Sequence, residues 1–267
     1  MKHIYFVMSF IVIRLVIHPI ERLFIDSECL KENYKGDLIP YTMGIIYIFD
    51  MLFISIVLYI FGPEKDHMNI LLALVGILII GLAGLIDDLI GSNKVRGLKG
   101  HIKKLVQLEL TTGGLKAVFG AFTSIFISLL VSIDTLDFIL NFITISLFTN
   151  FINLLDLRPG RALKGFLFFA VLFILAVNNV YEIILLSYIG ASIAYLPYDL
   201  KARSMLGDIG SNSLGIILGI TATSFPVYIK SLLVIILIFV HIYCEKYSIT
   251  KLILKNKILR YIDNLGR

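Results

Sequence analysis

Cysteine is scarce in this chain, and the two present, Cys29 and Cys244, fall into no ligand spacing. That excludes a cysteine metal site, and both are expected to be reduced, non-catalytic thiols. Charge is scarce as well. Asp, Glu, Lys and Arg make up 16% of the 267 residues against 58% hydrophobic, and the mean hydropathy is +0.92. An ordinary soluble domain does not have that composition. The short segments of alternating polar and apolar residues that build a membrane barrel are missing. A small-residue cleavage site is missing behind the first 20 residues, whose apolar run carries Arg14 and His18, so this segment reads as a retained helix and not a signal peptide. Linkers, repeats and low-complexity stretches are absent too, and residues 1–267 read as a single integral membrane domain.

What the chain does have is continuous runs of Ile, Leu, Phe and Val. A helix needs about 20 such residues to cross a bilayer. The runs place spans near 4–20, 43–62, 68–86, 105–131, 138–156, 163–179, 181–197, 210–229 and 231–245, which predicts an all-α, polytopic bundle of about nine transmembrane helices. The fourth run is interrupted at Thr111, Thr112, Gly113 and Gly114 and contains Lys116. With these spans, 18 Lys and Arg residues fall in the loops of one side and 3 in those of the other. The positive-inside rule then puts the richer side in the cytoplasm, the N-terminus outside and the C-terminus inside. The pI near 9.1 follows from those loops and is explained by anionic lipid, with no nucleic acid implied.

Asp87 and Asp88 close the apolar run 68–86. Adjacent carboxylates at a membrane boundary repel each other and lose hydration, so a cation or phosphate chemistry is the usual reason to keep them. Lys94, Arg96, Lys99, Lys103 and Lys104 follow. Three other polar clusters share the same expected side. Lys35 to Gly44 enters the second span, where Pro40 and Gly44 make a turn and Thr42 is a candidate cap. Asn150, Asn153 and Asp156 recur every third residue and fall roughly on one helix face. A polar face in lipid turns toward protein or water, so either interhelical hydrogen bonding or ligand binding accounts for it. Asp208 precedes an apolar helix among glycines, either as a simple cap or as a ligand. Taken together, carboxylates, amides and bases at one surface are what Mg²⁺-assisted phosphoryl transfer needs.

In this order the clusters resemble the polyprenyl-phosphate N-acetylhexosamine-1-phosphate transferases. That superfamily includes phospho-N-acetylmuramoyl-pentapeptide transferase and the UDP-GlcNAc:undecaprenyl-phosphate GlcNAc-1-phosphate transferases. Ile39-Pro-Tyr-Thr-Met-Gly44 resembles a TPTMGG turn, and Leu85-Ile-Asp87-Asp88 an aspartate pair. Asn150 to Asp156 is similar to the start of NxxNxxDGxDG, and Met205-Leu-Gly-Asp208-Ile-Gly-Ser211 to FMGDxGS.

The resemblance implies transfer of a sugar-1-phosphate from a UDP-sugar to a polyprenyl (undecaprenyl) phosphate, releasing UMP, for cell-envelope glycan synthesis at a bacterial plasma membrane. It implies Mg²⁺ on Asp208. Asp87 and Asp88 would position or deprotonate the lipid phosphate, or one of them would attack as a nucleophile. Asn150, Asn153 and Asp156 would help hold the nucleotide or diphosphate, Lys35 and Thr42 would lie near the nucleoside, and Lys103 or Lys104 near a phosphate. The chain departs from the pattern in several places. Gly91 stands where a lysine is often found, with Lys94 the nearest substitute. A late histidine cluster and a tenth helix are missing, which disfavours a pentapeptide substrate. Leu157 and Pro159 replace a glycine and an acid, so that Arg158 and Arg161 become candidate phosphate ligands. Leu157 and Pro159 keep open a non-catalytic or transport-type relative that binds a lipid-linked or anionic ligand. A homodimer is a further expected partner state.

Two features lie outside the clusters. Arg14 and Asp50 are charges inside spans, each roughly 10–12 Å from the cytoplasmic end, and are expected to form an ion pair. Residues 248–267 end in an amphipathic stretch with Ile258, Leu259, Ile262 and Leu265 on one face, expected to lie along the cytoplasmic leaflet.

Overall fold

The computed structural model describes residues 2–91, 104 and 111–267. Helix α1 (His3–Asp26) leads into a hairpin, β1 (Leu30–Glu32) and β2 (Leu38–Pro40), followed by α2 (Ile45–Phe61) and, after a short 3-10 turn, α3 (His67–Ile90). Then come α4 (Thr112–Val131), α5 (Thr135–Leu155), α6 (Arg161–Ile174), α7 (Val180–Leu200), α8 (Gly207–Ala222), α9 (Val227–Lys246), α10 (Ile249–Lys255) and α11 (Lys257–Asn264).

Each of the nine apolar runs falls on a helix, the fourth within its described part. Membrane length is another matter. Among the described residues six helices are long and apolar enough to cross: α1, α3 with its preceding turn, α4, α5, α7 and α9. Helices α2, α6 and α8 have 17, 14 and 16 residues and fall short. The runs overestimated them because they continue past the helix ends into cap and loop residues such as Gly62, Leu175 and Thr223.

The short α8 is the centre of the bundle. It packs against α2, α3, α5, α6 and α7, and every residue from Ile209 to Ala222 is buried. The residues of that stretch are almost all small or apolar on every side, which suits an interior helix, and the few polar ones, Ser211, Asn212, Ser213 and Thr221, are buried with them. Small residues let neighbours come close, which is how helices associate in lipid. A Cβ on Gly215 would lie 2.5 Å from the Phe148 carbonyl oxygen, and one on Gly219 would lie 2.6 Å from the Ile145 Cα.

The interruption at 111–114 is a helix start. Thr111 accepts the Gly114 N–H at 3.0 Å and caps α4. Thr42 is not the expected cap of α2: the residue at that position is Gly44, and the Thr42 hydroxyl donates to the neighbouring Tyr41 carbonyl. Thr42 takes φ +64°, in the left-handed region.

The Arg14–Asp50 pair does not form. Arg14 donates to the Tyr198 hydroxyl at 3.4 Å and lies over that ring, 5.6 Å from its centroid. Asp50 is fully buried and accepts from Ser187 at 3.3 Å. The two residues differ in level and in face: Arg14 is exposed beside Tyr198, while Asp50 is buried beside Ser187, about three turns away along the same helix α7. A buried ion pair does exist, at the opposite end from the four clusters, where Lys230 of α9 bonds Asp137 and Asn141 of α5.

Candidate active site

The four clusters meet at one end of the bundle. Backbone bonds join two of them directly. Met43 and Gly44 donate to the carbonyls of Met205 and Leu206 at 3.1 and 2.8 Å, and Met205 donates to Pro40 at 2.8 Å. Gly44 is needed for this: a Cβ there would lie 2.2 Å from Gly210 Cα.

Asp87 and Asp88 sit at the end of α3, successive residues about 100° apart around the helix, so they face different neighbours. Asp88 faces the N-terminus of α8 and accepts the backbone N–H groups of Asp208 and Ile209 at 2.9 and 3.1 Å. It satisfies two of the free donors of a helix start from outside that helix. Gly84, one turn earlier, permits the approach, since a Cβ there would lie 2.7 Å from the Asp208 carbonyl.

Asp87 faces α4. Its carboxylate lies 3.1 Å from the Lys116 ammonium, which also bonds one carboxylate oxygen of Asp208. The other oxygen of Asp208 accepts from Asn153 at 2.6 Å, and Asn153 also donates to Ser211 at 2.9 Å. Lys116 thus stands between two carboxylates as their shared cation, and Asn153 fixes the rotamer of one of them.

A cavity of about 240 Å³ opens beside this cluster, lined by Asp88, Asp156, Asp208, Tyr34, Tyr41 and Arg158 among others. Asp156 lies just past the end of α5. Burial, then the carboxylates of Asp199, Asp208 and Asp88, raises its pKa well above the ordinary value. Tyr41 is also raised, by burial first, then by Cys29 and the Asp88 charge, so it stays a neutral phenol. The hairpin forms the rim: Arg158 lies over the Tyr34 ring, 5.2 Å from its centroid.

The structure therefore brings together Asp87, Asp88, Asn153, Asp156, Arg158 and Asp208. It leaves others apart. Asn150 is exposed, because two steps of three residues carry it about 120° around the helix from Asp156. Lys35 is exposed at the hairpin tip and lies over Tyr34. Thr42 is buried with its hydroxyl turned to Tyr41. Arg161 is buried against Asp263, away from the cavity. Lys103 lies outside the described residues, and Lys104 is described alone between undescribed neighbours. The residue that sequence reasoning missed is Lys116. A single cation inside an apolar run was a signal in itself.

Among the described residues no three or more His, Cys, Asp or Glu side chains close into a metal cage. The donor set instead fits a hard cation that shares its coordination with phosphates. Asp87 and Asp208 already converge on one positive centre, and a magnesium-type ion needs only one or two carboxylates when substrate oxygens complete it.

Apolar helices around a carboxylate–lysine cluster that opens at one end define a multi-pass membrane protein built for a charged ligand. The chain belongs to glycosyl transferase family 4, whose model matches residues 70–226, from α3 to the turn before α9. Membership makes it a transferase of the glycosyl-1-phosphate kind, moving a sugar phosphate from a nucleotide sugar to a polyprenyl phosphate. No curated protein matches the chain.

Proposed function

We propose that the protein transfers an N-acetylhexosamine-1-phosphate from its UDP-sugar to undecaprenyl phosphate, with Mg²⁺ and with release of UMP, for cell-envelope glycan synthesis. The observation that carries this is the Lys116 ammonium held between Asp87 and Asp208, beside a cavity that reaches Asp88 and Asp156.

In the reaction an oxygen of the lipid phosphate attacks the β-phosphorus of the UDP-sugar. A new P–O bond forms, the bond from that phosphorus to the bridging oxygen breaks, and UMP leaves with the electron pair. Lys116 stabilises the charge on the diphosphate oxygens, a role in which a preorganised cation contributes strongly. Both Asp88 oxygens are taken up by backbone N–H groups, so Asp88 positions α8. That leaves Asp87 to orient the lipid phosphate or take its proton. Asn153 holds Asp208, and Arg158 with Tyr34 receives the nucleotide at the rim. Asp208 would hold the Mg²⁺, which when bound neutralises the phosphate oxygens.

The nine helices cross the membrane with the site at the cytoplasmic face, which agrees with the excess of basic residues on that side. The shorter α2 and α6 cross a bilayer thinned around them, at a modest cost, and α8 is enclosed by its neighbours. The domain is single, α11 lies on the inner leaflet, and the chain pairs as a homodimer.

The test is UMP release from a panel of UDP-sugars by membranes containing the protein, with and without Mg²⁺ and undecaprenyl phosphate. Release requiring all components, and lost on Asp208→Asn, supports the reading. No release with any donor, or equal release by the variant, removes it.

A further inference from the structure

One of the bases near the place of the expected acid, Arg161, has a partner in the structure, and it is not a ligand. Arg161 clasps Asp263 of α11 with two bonds, at 2.8 and 3.0 Å, and both side chains are buried. Arg267 reaches the same carboxylate with two bonds at 3.0 Å. Its third bond, at 2.8 Å, goes to the Pro159 carbonyl. Lys164 donates to the last carbonyls of α11, those of Ile262 and Asp263, at 2.9 and 2.8 Å. Bidentate guanidinium–carboxylate pairs fix both distance and orientation.

The turn gripped in this way is the one whose other face lines the cavity through Asp156, Leu157, Arg158 and Pro159. It is not held by regular structure. Gly160 takes φ +76°, and its N–H donates to Asp199 at 2.8 Å. Locally it has the fixed φ of Pro159 and the Arg161 N–H bond to the Arg158 carbonyl at 3.2 Å, and its placement against the cavity comes from outside, from Asp199 and from α11.

We propose that α11 is a latch that holds the 156–160 turn in its ligand-binding conformation, and that Asp263 is a positioning residue of the site. This rests on the transferase reading for its consequence but not for its geometry. When Asp263 is unlatched, Arg158 is no longer presented to the nucleotide, while Asp87, Asp208 and Lys116 stay in place. The loss falls on the KM for the UDP-sugar and leaves kcat nearly unchanged.

The experiment compares the full-length protein with Asp263→Asn, Asp263→Glu and Arg267→Gln. Arg267→Gln is the milder variant: it releases Pro159 but keeps the buried Arg161–Asp263 pair, so it remains informative if Asp263→Asn folds poorly. Amide exchange is followed at Gly160 and Arg161, with Gly44 and Met205 as references. Expected are roughly tenfold faster exchange at the turn in Asp263→Asn and Arg267→Gln, unchanged references, and partial rescue by Asp263→Glu. In the UMP-release assay, KM for the donor rises roughly 10- to 100-fold.

Unchanged exchange at the turn overturns the latch. So does acceleration spread equally over the references, and so does faster exchange with an unaltered KM. If the unsubstituted protein releases no UMP, the transferase reading fails, and the exchange data alone decide whether the latch exists.

Discussion

The side chain of Asp88 accepts the backbone N–H of Asp208 at 2.9 Å, so one acid of the site holds the backbone that carries another. The two residues are 120 positions apart in sequence, and each would look like a metal or phosphate ligand when read alone. Their contact separates the roles within the acid pair: Asp88 anchors α8, and Asp87 is left to face Lys116.

Asp88→Asn therefore behaves differently from Asp208→Asn. An amide offers one acceptor where the carboxylate offers two, so one of the two α8 donors loses its partner. A cost of about 1–3 kcal/mol in stability is expected. Asp208→Asn keeps its folded yield and loses UMP release. Thermal unfolding of both variants in detergent checks this, and equal stability would remove the anchoring role.

Lys116→Met should lower kcat by roughly 10²- to 10³-fold, the range seen on loss of a preorganised electrostatic partner. It also leaves Asp87 and Asp208 facing each other without their shared cation, so higher Mg²⁺ should restore part of the rate. A rate-against-Mg²⁺ titration measures this, and an unaltered rate would place the chemistry elsewhere.

Gly84→Ala should perturb the site although it adds only a methyl group. The new Cβ would meet the Asp208 backbone at 2.7 Å, and overpacking of this kind costs about 1–3 kcal/mol. Gly120→Ala is the control, because its nearest neighbour is Ile80 Cδ1 at an ordinary 3.5 Å. Thermal stability and UMP release should fall in the first variant and hold in the second.

Reversing Arg14 and Asp50 together should not recover what either reversal loses. Asp50 answers to Ser187 and Arg14 to Tyr198, so no pair exists to be restored. Folded yield of the two single variants and the double variant decides it.

The latch has a defined pH window. Burial disfavours the charged form of Asp263, but the hydrogen bonds and charges of Arg161 and Arg267 outweigh it and hold the carboxyl below its ordinary value. A carboxyl depressed in the folded state stabilises at all pH above its unfolded value, about 4, and that contribution is lost as the pH falls through the folded value. The stability difference between the unsubstituted protein and Asp263→Asn should be flat from neutral down to about pH 5 and shrink below about 4. A difference that shrinks near pH 6 to 7 would contradict the assignment.

Helix placement was readable because lipid imposes it. A backbone in hydrocarbon must satisfy its own hydrogen bonds, so runs of Ile, Leu and Phe become helices and polar residues gather at their ends. The same constraint made the site's components visible: Asp87, Asp88, Asn153, Asp156 and Asp208 stand out against an apolar background. Membrane length was less visible, since α2, α6 and α8 are shorter than the runs that contain them.

Pairing was not readable. Lys116 looked like a flaw in a span, Arg161 like a phosphate ligand, and Arg14 like the partner of Asp50. Each assignment depends on which face of a helix a neighbour covers, and that is set by packing between segments far apart in the chain. The amino-acid sequence by itself determined the helical class, the charge asymmetry and the acids available. Only the tertiary structure decided that Lys116 joins Asp87 to Asp208, and that Arg161 turns away from the site to hold Asp263. The physical reason is that hydrophobicity is a local property of residues, whereas an ion pair needs two groups delivered to within about 4 Å by the whole fold.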